Sequence, residues 1–460
     1  MSEPVRVSMI SLGCPKNLVD SEVLLGHAAR DGLLITQNVE DSDVAVINTC
    51  GFIDSAKEES IDTILEVAEL KKQGKLRGIV VVGCLSQRYG DDLRKELPEV
   101  DAILGLSDYS KVPQLLRHIA RGGDERFVAS TQGGSLKDAR SDTSRLVLTP
   151  KSYAYLRIGE GCDHVCTFCA IPSIRGKQRS KPIEVLVEEA RGLASGGVKE
   201  LVLVAEDSTA YGMDWSGRQR RLADLLVALG EVDGIEWIRV LYAYPHTVSS
   251  KITEQLRDNP KVVPYIDIPI QHISGPMLRA MKRGVSSEQV RGILDRLRSE
   301  VPGIAVRSTF IVGFPGETQS DFEELLALTE DYRFERLGVF PYSDEEGTPA
   351  HTIEAERVTE EVMEERVEAI MLASRRIIEE RNLALVGQRA KVLVDGAVDP
   401  RALEDRPDLA TARSIGRTFA DAPEIDCSVF LTSEHPSGTF VEATIRAVDG
   451  YDLVAHVDAS

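Results

Sequence analysis

Twice along this chain, short apolar runs rich in Val and Ile alternate with helix-length amphipathic stretches, and few folds accommodate such a pattern. In the first series, strands are expected at Val5–Leu12, Val44–Asn48, Ile79–Val82 and Ala102–Leu104. Helices are expected between them at Asn17–Arg30, Ser55–Lys72 and Gln87–Leu97. In the last three of these runs apolar residues follow one another directly rather than at every second position. Both faces must therefore be covered, which calls for a parallel sheet with helices on each side. From Tyr153 the alternation restarts, with six strands expected at Tyr153–Ile158, Leu201–Ala205, Trp237–Leu241, Tyr265–Ile270, Ala305–Val312 and Arg336–Phe340. Such a repeat makes a partial (β/α)6 barrel, which carries its chemistry on the loops after the strands. A long charged helix over Glu354–Arg381 follows. Beyond Gly387 come short alternating strands at Lys391–Val394, Cys427–Leu431, Phe440–Ala447 and Leu453–Val457, the pattern of a small all-β barrel. The expected fold is α/β: an N-terminal parallel-sheet domain over residues 4–120, a linker over 121–146, the barrel over 147–384 and the β-module over 386–457.

The 460 residues carry 54 Lys and Arg against 74 Asp and Glu, a formal charge of −20. That balance argues against broad phosphate contacts, which need clustered cations. The first residues lack a basic start followed by a long apolar core, and a run such as Ile79–Val82 is far too short to span a bilayer. A soluble cytoplasmic protein without membrane contact is expected. Thiols stay reduced in that compartment, so the clustered ones among its seven cysteines are expected to bind metal or do chemistry rather than pair.

Cys162, Cys166 and Cys169 share one eight-residue window that directly follows the first barrel strand. Three thiolates on one short loop can hold three irons of a cubane cluster and leave the fourth open to a cosubstrate. A zinc site would need a fourth ligand, and His164 is the only near candidate, cramped inside the loop. Cys14, Cys50 and Cys84 are far apart in sequence, but each stands just past the end of an expected parallel strand. Open α/β sheets bind ligands at that edge, so three loops can bring three sulfurs to one crevice. The plainer reading is three separate core residues, since Cys packs as a small hydrophobe. That reading gives no reason for all three to sit at strand ends, and a second cluster site is expected. Cys427, alone in a strand pattern, is read as a buried apolar residue.

The spacing Cys-x3-Cys-x2-Cys, with Phe168 before the last cysteine, resembles the radical S-adenosylmethionine superfamily. Ser11-Leu12-Gly13-Cys14-Pro15-Lys16-Asn17-Leu18-Val19-Asp20 and Asn48-Thr49-Cys50-Gly51-Phe52-Ile53 resemble the N-terminal domain of the methylthiotransferases, and the tail resembles a TRAM domain. Gly159-Glu160-Gly161, Ile171-Pro172, Arg175-Gly176 and Gly313-Phe314-Pro315-Gly316-Glu317-Thr318 agree with that family in order. Within it, the residues after Cys14 resemble the RimO branch, which acts on a small-subunit ribosomal protein, number twelve. The tRNA-modifying MiaB branch more often has a Gln-Met-Asn type sequence there. The resemblance implies two 4Fe-4S clusters, one on Cys162, Cys166 and Cys169 and an auxiliary one on Cys14, Cys50 and Cys84. It implies S-adenosylmethionine as cosubstrate, cleaved reductively to a 5′-deoxyadenosyl radical, and an external electron donor. By the same resemblance, the product is an aspartate methylthiolated at its β-carbon. A tRNA adenosine methylthiotransferase and a non-catalytic iron–sulfur carrier are the alternatives.

Phe168, Glu206, Asp207 and Gly313 are the candidate cosubstrate contacts. Glu206 and Asp207 follow the second barrel strand and can reach a ribose or an amino group; a solvated loop pair is the plainer reading. Gly313 either lets the backbone approach the cosubstrate or serves its own turn, and Thr318 with Asp321 resembles a helix capping box. Arg175 and Arg179 can position a carboxylate of cosubstrate or target. His246 and His272 also follow barrel strands and are read as structural, and Glu360–Glu368 as a solvated helix face. From Val386 onward the tail carries seven Arg and Lys against thirteen Asp and Glu, a net −6. An acidic module attracts a basic protein and repels RNA, which agrees with a ribosomal-protein substrate and does not favour direct RNA binding.

Overall fold

In the computed structural model the described residues are 4–106, 109–123, 127–128, 142–404, 406 and 409–458. The chain forms two compact units. One comprises Met1–Leu148, Gly159–Lys181 and Glu345–Thr348; the other comprises Thr149–Ile158, Pro182–Asp344 and Pro349–Ser460.

The first unit is built on six parallel strands in the order Leu34–Ile35, Arg6–Ser11, Val44–Thr49, Gly78–Gly83, Ala102–Ile103, Phe127–Val128. Every residue of the two central strands is buried. Successive side chains of a strand point to opposite faces. Val46, Val80 and Val82 accordingly pack with Leu24 and Leu116 on one side, while Ile47 and Val81 pack with Ile64 and Val67 on the other. Burial of each such side chain contributes about 1.5–3 kcal/mol, and a sheet covered on both faces requires them at consecutive positions.

The second unit holds six parallel strands in chain order: Tyr153–Arg157, Glu200–Val204, Trp237–Val240, Val262–Asp267, Ala305–Val312 and Arg336–Pro341. Helices stand between consecutive strands, as Ile183–Ser195 and Gln319–Tyr332 do. The long helix runs over Glu360–Leu385, starting later than expected because the Thr359 hydroxyl caps it by accepting from the Val362 N–H. In the same unit the tail closes into a five-stranded barrel in the order Arg389–Ala397, Ser414–Arg417, Val429–Leu431, Asp452–Val457, Phe440–Asp449. Its neighbours are antiparallel except Val429–Leu431 with Asp452–Val457.

Two elements differ from the expectation. Ser414–Arg417 is a barrel strand not foreseen, because Ser-Ile-Gly-Arg has neither length nor alternation; Gly416 is required by close packing on the Leu393 carbonyl, 2.4 Å from where its Cβ would stand. The expected linker is partly built into the first unit. Phe127–Val128 pairs with Ala102–Ile103, and Asp142 is buried in an ion pair with Lys181 at 2.6 Å. Arg145 meets Glu22 at 3.1 Å, while the Leu146 and Leu148 amides donate to the Glu22 carbonyl and carboxylate. The rest of the linker lies outside the described residues.

Candidate functional site

Three neighbouring strands of the first sheet end together, and a cysteine follows each. Ser11 lies opposite Asn48, and Thr49 opposite Gly83, so Cys14, Cys50 and Cys84 leave the same edge. Cys14 caps the helix Pro15–Arg30, and Cys84 opens the helix Cys84–Glu96. Glycines make the approach possible. A Cβ on Gly13, at φ +84°, would stand 2.8 Å from Cys50 Cβ and 3.0 Å from its Sγ. One on Gly83, at φ +103°, would stand 2.3 Å from Asn48 Oδ1 and 2.5 Å from the Thr49 carbonyl. Side chains avoid this backbone region, so glycine is required at both places on two counts.

A buried amide network fixes the three strand ends. Asn17 Nδ2 donates to the carbonyls of Leu12 at 3.1 Å and Thr49 at 3.0 Å. Asn48 Nδ2 donates to the Asn17 carbonyl at 2.7 Å and to Ser21 Oγ at 2.9 Å. Cys84 Sγ donates to Asn17 Oδ1 at 3.5 Å, and Ser60 Oγ accepts from the Cys50 N–H at 3.0 Å. Burial pushes the Cys84 thiol up to about 12, against the pull of Arg175 and with added pressure from Cys14 and Cys50. Burial likewise pushes Cys50 up; the Phe52 amide and Arg175 oppose it, and Cys14 adds to it.

Cys162, Cys166 and Cys169 lie in the same unit. Gly159–Glu160 pairs antiparallel with Arg179–Ser180, a two-residue ribbon at the base of their loop. The Cys162 N–H donates to the Gly176 carbonyl at 3.0 Å, and the Cys169 N–H to the Cys166 carbonyl at 3.2 Å. Cys166 is buried, Cys162, Cys169 and Phe168 are half-buried, and Val165 between them is 69% exposed. The short helix Ile171–Arg175 then sends Ala170 and Ile174 into the core of the first unit.

Arg175 is not a reserve cation awaiting cosubstrate. It is buried, with Nη2 on Asn17 Oδ1 at 2.7 Å and Asp20 Oδ2 at 3.1 Å, and Nη1 on Glu160 Oε2 at 3.2 Å. The expected carboxylate partners are thus present, but they belong to this chain.

Glu206, Asp207 and Gly313 belong to the second unit. Asp207 is buried, and its Oδ1 accepts from the Thr209 and Ala210 amides, capping the turn Ser208–Ala210. Glu206 beside it is half-buried. The Gly313 and Phe314 amides both donate to Glu317 Oε2, and a Cβ on Gly313, at φ +79°, would strike the Met363 side chain at 2.2 Å. Gly313 is therefore needed by its own turn. Thr318 and Asp321 form the expected capping box. His272 is structural: fully buried, its Nδ1 accepts from the Ile273 and Ser274 amides at 2.9 and 3.0 Å. His246 is exposed, edge-on to Tyr244.

The donor chemistry fits iron–sulfur clusters. Each place offers three soft thiols, with one buried network behind the first set and a backbone-braced loop behind the second. Among the described residues, no three His, Cys, Asp or Glu side chains close on a single metal ion.

Part of the tail's acidity is spent within the chain. Asp421 meets Arg336 at 2.9 Å, Glu424 accepts from Tyr155 Oη at 3.0 Å, and Asp426 accepts from Tyr265 Oη at 2.7 Å. These three of the thirteen carboxylates face strands of the six-stranded sheet rather than a partner, so the net −6 overstates the outward charge.

Family models match most of the chain: an uncharacterized protein family, UPF0004, over residues 6–105, the radical SAM superfamily over 156–329, and the TRAM domain over 386–457. The chain is 46% identical over 453 residues to the ribosomal protein uS12 methylthiotransferase RimO of Trichlorobacter lovleyi, covering 98% of each. It is also 46% identical over 456 residues to the protein of that name from Myxococcus xanthus, covering 99% of this chain and 92% of that one. Among solved structures it resembles the radical S-adenosylmethionine methyltransferase TsrM of Kitasatospora setae, with TM-score 0.52 and 13% identity over 76% of this chain and 77% of that one. That likeness is one of fold. Among the described residues, no helix is long and apolar enough to cross a membrane.

Proposed function

The chain belongs to the RimO family of radical S-adenosylmethionine methylthiotransferases, and on that premise we propose that it methylthiolates the β-carbon of an aspartate in ribosomal protein uS12. The observation that carries the reading is the extent of the match: relatives of that name share 42–46% identity over 98–99% of this chain. Enzymes of this type use S-adenosylmethionine and carry two 4Fe-4S clusters. Cys162, Cys166 and Cys169 would hold the one that meets the cosubstrate, and Cys14, Cys50 and Cys84 the auxiliary one. When bound, these groups supply an electron to the sulfonium and the sulfur to be transferred.

The chain's own residues do the rest. Asn17, Asn48 and Ser60 hold the strand-end loops in register, and burial of Cys50 and Cys84 keeps water from the sulfurs. Phe168, Glu206 and the Gly313 turn remain the proposed cosubstrate contacts. Asp207 acts at one remove, since its Oδ1 shapes the loop that carries Glu206. An external electron donor and a cytoplasmic site, where ribosomes are met, complete the proposal.

The test is direct. Reconstituted enzyme, reductant and S-adenosylmethionine are incubated with ribosomes or with tRNA, and methylthio addition is read by mass spectrometry. Addition to uS12 is expected; addition to tRNA alone overturns the substrate. A Cys14→Ala variant should still cleave the cosubstrate while uS12 modification is lost. Normal modification by that variant removes Cys14 from the auxiliary site.

A further inference from the structure

Behind the cysteine pocket of the first unit lies one buried guanidinium that no step above uses. We infer that Arg175 is a positioning residue that sets the charge of this pocket and thereby the reduction potential of a cluster bound by Cys14, Cys50 and Cys84. The inference rests on the reading of those three cysteines as cluster ligands.

Geometry places the charge. Arg175 Nη2 lies 2.7 Å from Asn17 Oδ1, and the same oxygen accepts from Cys84 Sγ at 3.5 Å, so a single amide stands between guanidinium and sulfur. The Arg175 side chain is 1% exposed, and those of Asp20 and Glu160 are 4% and 5% exposed. Water screens none of these charges well, and in such surroundings a fixed charge acts strongly over short range. Potentials of iron–sulfur clusters follow net local charge and hydrogen bonding toward the sulfurs. Arg175 carries a positive charge and Asp20 and Glu160 carry negative ones, so neutralising any one of the three changes the charge beside the pocket by one unit.

Its connections are equally specific. Asn17 and Asp20 stand on the helix that begins after Cys14, Glu160 precedes Cys162, and Arg175 itself ends the helix after Cys169. One guanidinium thus braces the helix of the first cysteine group and both flanks of the second group's loop. Lysine has the charge but not the planar fork needed to serve three acceptors.

The experiment isolates one site. In the full chain, Cys162, Cys166 and Cys169 are replaced by Ala, the protein is reconstituted anaerobically with iron and sulfide, and iron content and midpoint potential are measured by redox titration followed by electron paramagnetic resonance. In that background, Arg175→Gln should shift the midpoint to more negative potential, because the added electron loses a stabilising positive charge. Asp20→Asn, which keeps the guanidinium and removes a negative charge, should shift it to more positive potential. Opposite signs separate electrostatic tuning from general loosening of the pocket. If Arg175→Gln does not fold, Asp20→Asn decides alone: a positive shift supports the inference, and an unchanged or negative midpoint overturns it. Iron bound with unchanged midpoints in both variants also overturns it. Absence of iron in the parental background overturns the ligand assignment instead.

Discussion

Both units bury arginines with carboxylates, yet the two arrangements differ in what stands beside them. In the second unit Glu200 is fully buried between Arg239 Nε at 2.7 Å and Arg417 Nη1 at 2.8 Å, and Arg417 also forks onto Asp395 at 2.8 and 2.9 Å. Arg307 joins Asp267 at 2.9 Å and Asp426 at 3.4 Å. Two arginines share Glu200, and Arg307 in turn serves two aspartates, so the charges are joined in a chain from the β-module to the six strands. Such a seam fixes how the β-module registers against the six strands; it is a device of specificity more than of net stability. In the first unit, one guanidinium serves two carboxylates and an amide, and three thiols stand next to them. A buried charge beside thiols acts on whatever those thiols bind.

Breaking the seam of the second unit should give the largest effect. Glu200→Gln leaves Arg239 and Arg417 without their shared anion and should cost about 3–5 kcal/mol, read as a lowered melting temperature. Iron retention by the first unit at ambient temperature should not change. The pH dependence has a definite sign. Burial raises the Glu200 pKa, but Arg239 and then Arg417 outweigh it, and the net shift is downward. Its contribution is therefore complete above the ordinary glutamate value and is lost as pH falls through the lower, folded value. The melting gap between wild type and Glu200→Gln should narrow in acid, and a gap that widens there would contradict this account.

A substitution in the first unit sharpens the contrast. Gly83→Ala puts a methyl against Asn48 and Thr49 at a backbone angle few side chains adopt, with an expected cost of about 1–3 kcal/mol. Here iron retention at Cys14, Cys50 and Cys84 should fall along with stability, because Gly83 adjoins Cys84. Cosubstrate cleavage should persist where the fold does. Thr318→Ala, at an ordinary helix cap in the second unit, should cost only about 1 kcal/mol and leave both cysteine groups loaded, as judged by melting and iron content.

These contrasts also show what is legible in a sequence. Strand ends are local, so the cysteines at 14, 50 and 84 could be placed on one sheet edge from apolar runs alone. The roles of the arginines are not local. Arg175 finds Glu160 fifteen residues away but Asp20 155 residues away, and the motif Arg-Gly discloses neither. Arg239 in Trp237–Val240 reads as an outward residue between apolar neighbours, yet it is fully buried because Glu200 and the Phe419 carbonyl meet it. The tail charge is incomplete for the same reason: composition counts Asp421 and Asp426 but not the arginines facing them. For Gly313, the needs of its own turn come from Met363 and Glu317, at distant and near positions, and leave its approach to a cosubstrate as a proposal.

The first unit is discontinuous: its segment Gly159–Lys181 comes after Thr149–Ile158, which belongs to the other unit. During synthesis the Asp20 side chain must therefore wait for Arg175, made 155 residues later, before that ion pair can form. Domains ordinarily complete themselves in the order in which they leave the ribosome. Here the N-terminal unit cannot finish until the first strand of its successor has been translated, and a fragment cut at residue 148 would lack the helix that seats Ala170, Ile174 and Arg175. Translation order is thus interleaved with folding order, and the last segment of the first unit, Glu345–Thr348, is made only after most of the second.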